Sequence, residues 1–139
     1  IKSSAMKRLE HVGIAVKDLV AANEIYTALF GKPEYKTEEV ASEQVKTAFF
    51  HMGEAKIELL EASGTDSAIG KFIEKRGEGL HHLAFEVTDI VAEMERLEKQ
   101  GFRVLNEQPK RGADNKLVCF LHPKSANGVL VELCQTIQE

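Results

Sequence analysis

The sequence predicts an α+β fold in which two tandem βαβββ modules pair into one domain, and three observations support this. The first is a duplicated segment: residues 11–21 (HVGIAVKDLVA) and 82–92 (HLAFEVTDIVA) align without a gap and agree at five of eleven positions. The second is that the same order of patterns follows each copy, a helical one and then three short strand-like runs. The third is the length of 139 residues, which suits one domain with its own hydrophobic core.

The first module covers about residues 7–62. Its opening strand leads into Asp18, whose carboxylate can cap a helix by accepting a backbone N–H. A helix is indicated by apolar residues at helical spacing, with Gly31 as its C-terminal stop. These apolar residues are Leu19, Ala22, Tyr26 and Leu29. Three strands are predicted after the helix, at about 35–42, 45–52 and 56–61.

The second module covers about residues 80–136 and repeats this order. Asp89 is the predicted N-cap, Ile90, Met94 and Leu97 have helical spacing, and Gly101 is the stop. Its three strands are predicted at about 102–106, 116–121 and 129–135. A linker of about residues 63–79 joins the modules and contains a predicted helical turn around residues 69–76. Residues 1–5 (IKSSA) are interpreted as a remnant preceding the protein and are left out of the fold prediction.

Composition favours a soluble globular protein of the cytoplasm over a nucleic-acid or membrane protein. The formal charge of −4 gives no general reason to bind nucleic acid. No apolar run approaches the roughly 18 residues of a membrane span, and no secretory signal is recognisable. Cys119 and Cys134 form no CxxC motif and lie in apolar runs, so both are expected to be buried in a reduced protein, although a disulfide between them stays open.

Each copy of the duplicated segment places a histidine where a buried strand begins. Because side chains alternate along a strand, Val12, Ile14 and Val16 should face the core and His11 the other side, next to small residues. In the second copy Leu83, Phe85 and Val87 should face the core and His82 the other side. The last strand of each module carries a glutamate opposite its apolar face, Glu58 in KIELLE and Glu132 in VLVELCQ. The His-to-Glu spacing is 47 in one copy and 50 in the other, so the pair is duplicated together.

Two imidazoles and two carboxylates are a ligand set for Zn, Co, Ni, Mn or Fe. If a pseudo-twofold axis relates the modules, all four side chains can converge on one ion. Taken singly, a strand histidine is more often structural and a strand glutamate more often solvated. It is the joint repetition of the pair that favours a metal site.

The repeated opening H-[VL]-[GA]-[IF]-x-V-x-D resembles the vicinal oxygen chelate superfamily, over about residues 7–136. That superfamily includes glyoxalase I, extradiol dioxygenases, antibiotic-resistance proteins and methylmalonyl-CoA epimerases. The sequence is most similar to the epimerases in LEHVGIAVKDL, KIELLE, GEGLHHLAFEV and FLHPKSANGVLVELCQ. The resemblance implies a single domain with a cleft in a curved sheet.

The resemblance also implies one divalent metal ion per chain, of Co, Zn, Mn or Ni. Its ligands would be His11, Glu58, His82 and Glu132. Some epimerases have glutamine at the position of Glu58. Of the adjacent histidines 81 and 82, the repeat register selects His82, and His81 would face the opposite side as a structural residue.

The implied activity is the interconversion of 2R- and 2S-methylmalonyl-CoA through a metal-stabilised enolate and two-base proton transfer. The implied bases are Glu132 and Glu43. In the turn HPKSANG, Lys124 and Ser125 are predicted to recognise a carboxylate or another polar part of the acyl-CoA substrate, and the alternative is that they only shape the turn. A homodimer in the cytoplasm, without nucleic-acid or membrane partners, is expected.

Three other activities occur on the same fold. Glyoxalase I, which acts on a glutathione hemithioacetal, has the same ligand pattern, but HPKSANGVLVEL and the short linker favour an epimerase. A non-enzymatic drug-binding protein would not need the four ligands. An iron dioxygenase is disfavoured because it needs two histidines and one carboxylate with more open positions.

Overall fold

The computed structural model describes residues 6–138, which contain eight strands and three α-helices. They group into two compact units. The first unit is His11–His81, and the second unit comprises the described parts of Ile1–Glu10 and His82–Glu139. The predicted α+β class is confirmed. Residues 1–5, interpreted above as a remnant, lie outside the described residues, within which no helix is long and apolar enough to cross a membrane.

The first unit has the predicted βαβββ order followed by a helix. Its elements are the part of β1 (Met6–Ala15) from His11 onward, α1 (Leu19–Phe30), β2 (Lys36–Val40), β3 (Val45–Met52), β4 (Ala55–Ala62) and α2 (Ala68–Arg76). The strands are ordered β2-β3-β4-β1, with β1 parallel to β4 and the other neighbours antiparallel. The linker helix was predicted as one turn and is confirmed as α2, with Ser67 accepting the N–H groups of Ile69 and Gly70.

The second unit repeats the order. Its elements are β5 (Gly79–Val87), α3 (Ile90–Lys99), β6 (Lys110–Arg111), β7 (Lys116–Leu121) and β8 (Val131–Thr136). The strands are ordered β5-β8-β7-β6, and β5 runs parallel to β8 as β1 does to β4. The duplication read from the sequence is therefore a duplication of topology.

The helix boundaries confirm the capping predictions. Asp18 accepts the N–H of Ala21 at 3.1 Å, and Asp89 accepts that of Ala92 at the same distance. Gly31 ends α1 in the left-handed conformation (φ 77°), which residues with a Cβ rarely adopt.

The predicted core faces are confirmed in both units. Ile14 and Val16 pack with Leu19, Ala22 and Tyr26 of α1. Phe85 and Val87 pack with the residues of α3, namely Ile90, Met94 and Leu97. Each helix therefore covers one face of its own four strands, and the other face carries the histidines.

The predicted strand at 102–106 is wrong. Val104 forms only an isolated bridge to Leu121, and the strand of this region is the two-residue β6. The segment still runs beside β7, because the N–H of Leu105 donates to the Phe120 carbonyl. At Asn106, however, the side-chain oxygen accepts the Phe120 N–H at 2.9 Å and replaces a backbone partner. Apolar content predicted the proximity to β7 but not this interruption of the ladder.

Cys119 and Cys134 are both buried without a disulfide bond, on opposite faces of the second unit. Cys119 packs in the α3 cluster and Cys134 with Ala84 and Val118, so the disulfide left open by the sequence does not form. Burial, together with the negative charge of Glu132, raises the pKa of the Cys119 thiol to about 12.

Native protein should therefore react negligibly with an aromatic disulfide reagent between pH 7 and 9, because the reactive thiolate is not populated below the raised pKa. Denatured protein is the control and should titrate two thiols. Rapid labelling of Cys119 in the native protein, identified by mass spectrometry, would contradict its burial.

Candidate metal centre

The first histidine and glutamate form a buried pair in the first unit. Gly13 of β1 is the register partner of Glu58 of β4, which brings His11 alongside the glutamate on the face away from α1. His11 Nε2 lies 3.1 Å from Glu58 Oε1. Since His11 is 6% exposed and Glu58 4%, both polar groups are withdrawn from water, where a close polar partner offsets the cost of burial.

The second unit contains the same pair. Ala84 of β5 is the register partner of Glu132 of β8, and His82 lies two residues before Ala84. His82 Nε2 is 3.2 Å from Glu132 Oε1, with both residues buried. The prediction that each glutamate lies on the same face as its histidine is confirmed within each unit.

The donor atoms of each pair fit a divalent metal ion. Histidine nitrogen and carboxylate oxygen bind ions such as zinc at about 2.0–2.2 Å, so two such atoms at neighbouring coordination positions are about 3 Å apart. The measured separations are 3.1 and 3.2 Å. Each unit thus presents a buried imidazole and a buried carboxylate whose separation suits two ligands of one divalent ion.

Around the first pair, paired residues form rows across the strands on the face away from α1, which we call the site face. The row of Glu58 consists of Gly13, Glu58, Phe49 and Lys36. The next row consists of Ala15, Leu60, Thr47 and Glu38. Lys36 Nζ lies 5.7 Å from the centroid of the Phe49 ring, so the ammonium contacts the ring of the residue that pairs with Glu58.

Helix α2 covers the far end of the site face. Its residues Ile69, Phe72 and Ile73 belong to a cluster with Ala15, Val40, Val45, Leu60 and Ala62. The site face of the first unit is therefore closed by apolar packing that begins in the row next to Glu58, at Ala15 and Leu60, and continues in the row beyond it.

Glu43, predicted as a base, lies in the short 3₁₀ turn Ala41–Glu43 between β2 and β3. This turn comes before Val45, and Val45 is four residues along β3 from Phe49, or about 13 Å at strand spacing. The α2 cluster includes Val45 and so lies between the turn and Glu58. The role of Glu43 stays a prediction, and its place in the first unit is distant from the His11–Glu58 pair.

The other predicted residues lie as follows. His81 packs edge-on against Phe72 of α2 with ring centroids 4.8 Å apart, as a structural histidine would. Lys124 and Ser125 are in the 3₁₀ turn Pro123–Ala126, where the Ser125 hydroxyl accepts the Arg103 N–H at 2.9 Å. That hydroxyl still has a proton to donate, and Lys124 is exposed.

Sequence reasoning did not single out Lys36 and Glu38 as site-face residues. The alternation of β2 was readable, but the row in which each residue falls depends on the hairpin register between β2 and β3. Gln44, in the turn between the two strands, has a left-handed backbone conformation (φ 54°). Nothing in the sequence indicates a left-handed residue at this position.

Comparison with known proteins places the chain among close relatives. Residues 10–120 match the model of the glyoxalase/bleomycin resistance protein/dioxygenase superfamily. The chain is 45% identical over 130 residues to ethylmalonyl-CoA/methylmalonyl-CoA epimerase of Cereibacter sphaeroides, which covers 92% of this chain and 97% of that protein. The resemblance to methylmalonyl-CoA epimerases predicted from the sequence is confirmed.

Two solved structures are also similar. Methylmalonyl-CoA epimerase from Mycobacterium tuberculosis has a TM-score of 0.92 and 36% identity, with coverage of 99% of this chain and 93% of that one. A variant of Streptomyces coelicolor methylmalonyl-CoA epimerase in complex with 2-nitronate-propionyl-CoA has a TM-score of 0.90 and 36% identity. The match covers 96% of this chain and all (100%) of that one.

Proposed function

This chain belongs to the glyoxalase/bleomycin resistance protein/dioxygenase superfamily, and from that premise we propose that it is a metal-dependent isomerase that interconverts 2R- and 2S-methylmalonyl-CoA. The observation that carries the proposal is the duplicated, buried His–Glu pair, one in each unit. The similarity to epimerases over nearly the whole chain supports the reaction type and an acyl-CoA thioester as substrate.

In this proposal His11, Glu58, His82 and Glu132 together hold one divalent ion per chain. The short distance between the buried nitrogen and oxygen atoms of each pair supports it, as does the repetition of the pair in the sequence. When bound, the cation supplies stabilisation of the negative charge that develops on the substrate oxygens. Co, Zn, Mn and Ni all suit two imidazoles and two carboxylates.

The side chains of the protein have to move one proton. The α-carbon of methylmalonyl-CoA lies between a thioester and a carboxylate, so its proton can leave to give an enolate, and inversion requires return of a proton on the opposite face. Glu132 is proposed as one base. The second is a carboxylate of the 38–43 segment, where the family resemblance implies Glu43.

Recognition of the rest of the substrate is proposed for the turn at 123–126. Lys124 offers an exposed ammonium and Ser125 a hydroxyl proton, which suit a carboxylate or another polar group. Phe49 and Phe120 are the register partners of Glu58 and Glu132, and apolar neighbours exclude water and so strengthen electrostatic interactions with the substrate.

An enolate intermediate is supported by the ligand of the Streptomyces coelicolor variant. A nitronate is a planar, delocalised anion, and in 2-nitronate-propionyl-CoA it stands next to the thioester, as the carbanion of methylmalonyl-CoA does. A protein that is similar over nearly the full length thus binds an analogue of the deprotonated substrate. The homodimer and the cytoplasmic location stay predictions.

Glyoxalase I is the second candidate, because Glu58 supplies the carboxylate that completes the same four-ligand pattern in this chain. Both reactions move a proton next to a thioester or hemithioacetal sulfur, so the ligands do not separate them. Only an assay with each substrate can distinguish the two activities.

The test is NMR of 2R-methylmalonyl-CoA in D₂O with cobalt-loaded protein and with an EDTA-treated control. We expect deuterium at the α-carbon together with the 2S epimer, and a loss of at least about 10²-fold in both rates after metal removal. No exchange in a metal-replete sample would contradict the proposal, and the glutathione hemithioacetal would be assayed next. Full activity after verified metal removal would contradict metal dependence.

A further inference from the structure

We propose that Glu38, in place of Glu43, is the base of the first unit that exchanges the α-proton of the substrate, an inference that rests on the proposed epimerase function. It is argued from the register of β2, β3 and β4, from the contacts of Glu38, and from what separates Glu43 from the His11–Glu58 pair.

The strand register puts Glu38 on the site face, one row from Glu58. Glu38 is the partner of Thr47, and Thr47 lies two residues along β3 from Phe49, the partner of Glu58. At the usual strand spacing, Glu38 is about 10 Å across and about 7 Å along the sheet from Glu58, or about 12 Å between Cα atoms. The Glu58 carboxylate is turned toward His11 on the other side, so a gap of that size leaves room for a small reacting group between Glu38 and the His11–Glu58 pair.

The residue between Glu38 and Glu58 is small. Thr47 is 1% exposed and donates its hydroxyl to the Glu38 carbonyl at 3.3 Å, so its side chain is turned toward β2. The Glu38 side chain therefore passes over a short neighbour and not over a bulky one. A longer residue at position 47 would occupy that space.

Lys36 draws the Glu38 carboxylate toward the row of Glu58. Lys36 Nζ lies 3.5 Å from Glu38 Oε1 and 5.7 Å from the centroid of the Phe49 ring. The ammonium is thus shared between the carboxylate and the ring of the residue that pairs with Glu58. Because the Glu38 side chain is only 31% exposed, the contact restricts it more than a fully solvated ion pair would.

Glu43 lacks this access. It lies in the turn beyond Val45, and Val40, Val45 and Ala62 are packed under α2 in the row between that turn and Glu38. Glu39 is next to Glu38 but points to the opposite side of β2 and is exposed. Of the three acidic residues in this segment, only Glu38 combines the site face with the row next to Glu58.

The proposed step is a simple proton transfer. The Glu38 carboxylate forms an O–H bond with the α-proton, and the electron pair of the broken C–H bond moves into the thioester carbonyl to give the enolate. The protonated second base then donates its proton to the opposite face of the α-carbon, and its O–H electron pair stays on the carboxylate. One proton is taken and one returned, with no oxidant or further reactant.

The experiment compares Glu38→Gln with Glu39→Gln and Glu43→Gln as metal-loaded full-length proteins, starting from each pure epimer in D₂O. For Glu38→Gln we expect epimerisation to fall by about 10²- to 10⁴-fold, the usual contribution of a positioned general base. Deuterium exchange with retained configuration should persist from the one epimer whose proton faces the other base. Glu39→Gln should stay within about twofold of the unsubstituted protein.

The stereochemical readout separates a lost base from a damaged fold, because a misfolded variant would lose exchange from both epimers alike. Unimpaired epimerisation by Glu38→Gln, or a loss confined to Glu43→Gln, would overturn the assignment. Equal loss of exchange from both epimers with an unchanged melting temperature and metal content would overturn it as well. If the unsubstituted protein does not epimerise, the proposed function itself fails, which is a different result from failure of Glu38 alone.

Discussion

Replacing His82 by alanine is expected to remove the metal ion and lower the epimerisation rate by more than about 10²-fold. Substitution of groups that only support a metal ligand already costs about 10–100-fold, and His82 is a proposed ligand itself. The change also leaves the Glu132 carboxylate, whose Oε1 is 3.2 Å from His82 Nε2, buried without its imidazole partner. The measurement is metal content after dialysis, by elemental mass spectrometry, together with the rate.

The adjacent histidine supplies the matched control. His81→Ala removes an imidazole next along the chain, but that ring packs on Phe72 of α2 in the first unit. It should retain metal and keep its rate within about threefold, since a lost edge-on ring contact is worth only about 0.5–1.5 kcal/mol of stability. Full metal content in His82→Ala, or equal loss in both variants, would contradict the ligand assignment. His82→Gln, which keeps a polar group beside Glu132, tests the assignment if the alanine variant unfolds.

The features of this protein that could be predicted from the sequence are those that depend on contacts between residues close together in the chain or on alternation along one strand. The duplication predicted the pairs His11–Glu58 and His82–Glu132, because alternation along a strand fixes which side chains share a face. The helix caps at Asp18 and Asp89 were predictable for the same reason: each is a contact within three residues of the chain.

Features set by register were not predictable. The strand expected at 102–106 is interrupted because Asn106 bonds to β7 with its side chain, which depends on the position of β7 in space. Likewise, the sequence placed Glu38 and Glu43 together in one acidic segment. The β2–β3 register is what distinguishes them: it places Glu38 one row from Glu58, whereas Glu43 lies beyond the α2 cluster. The face of the sheet on which a side chain lies can be predicted from the sequence, but the row in which it lies across the strands cannot.

Exchanging Glu132 for glutamine is the second large effect, and it is most informative beside the same change at Glu58. The two glutamates occupy equivalent places, each on the last strand of its unit and each about 3 Å from a histidine, at 3.1 and 3.2 Å. Glutamine keeps the shape and an oxygen that can accept a hydrogen bond from the imidazole N–H, so the fold should persist in both variants. What is removed is the negative charge and the capacity to carry a proton.

In the proposal Glu132 has two roles, ligand and base, whereas Glu58 has only the first. Glu132→Gln should therefore lower the rate by about 10³-fold or more, combining the loss of a ligand with the 10²- to 10⁴-fold contribution of a base. Glu58→Gln should lower it by about tenfold, because three ligands remain and both bases are kept, and because some epimerases have glutamine at this position. Metal content and the rates from each epimer are measured for both.

Equal rates in the two variants at equal metal content would mean that Glu132 is a ligand only, and that the second base lies elsewhere. A larger loss in Glu58→Gln would reverse the roles of the two glutamates and move the proton chemistry to the first unit entirely. The expected order, with Glu132→Gln the slower and its remaining exchange limited to the epimer that Glu38 can reach, would assign each face of the α-carbon to one carboxylate. The two His–Glu pairs would then have the same geometry, but only the glutamate of the second unit would transfer a proton.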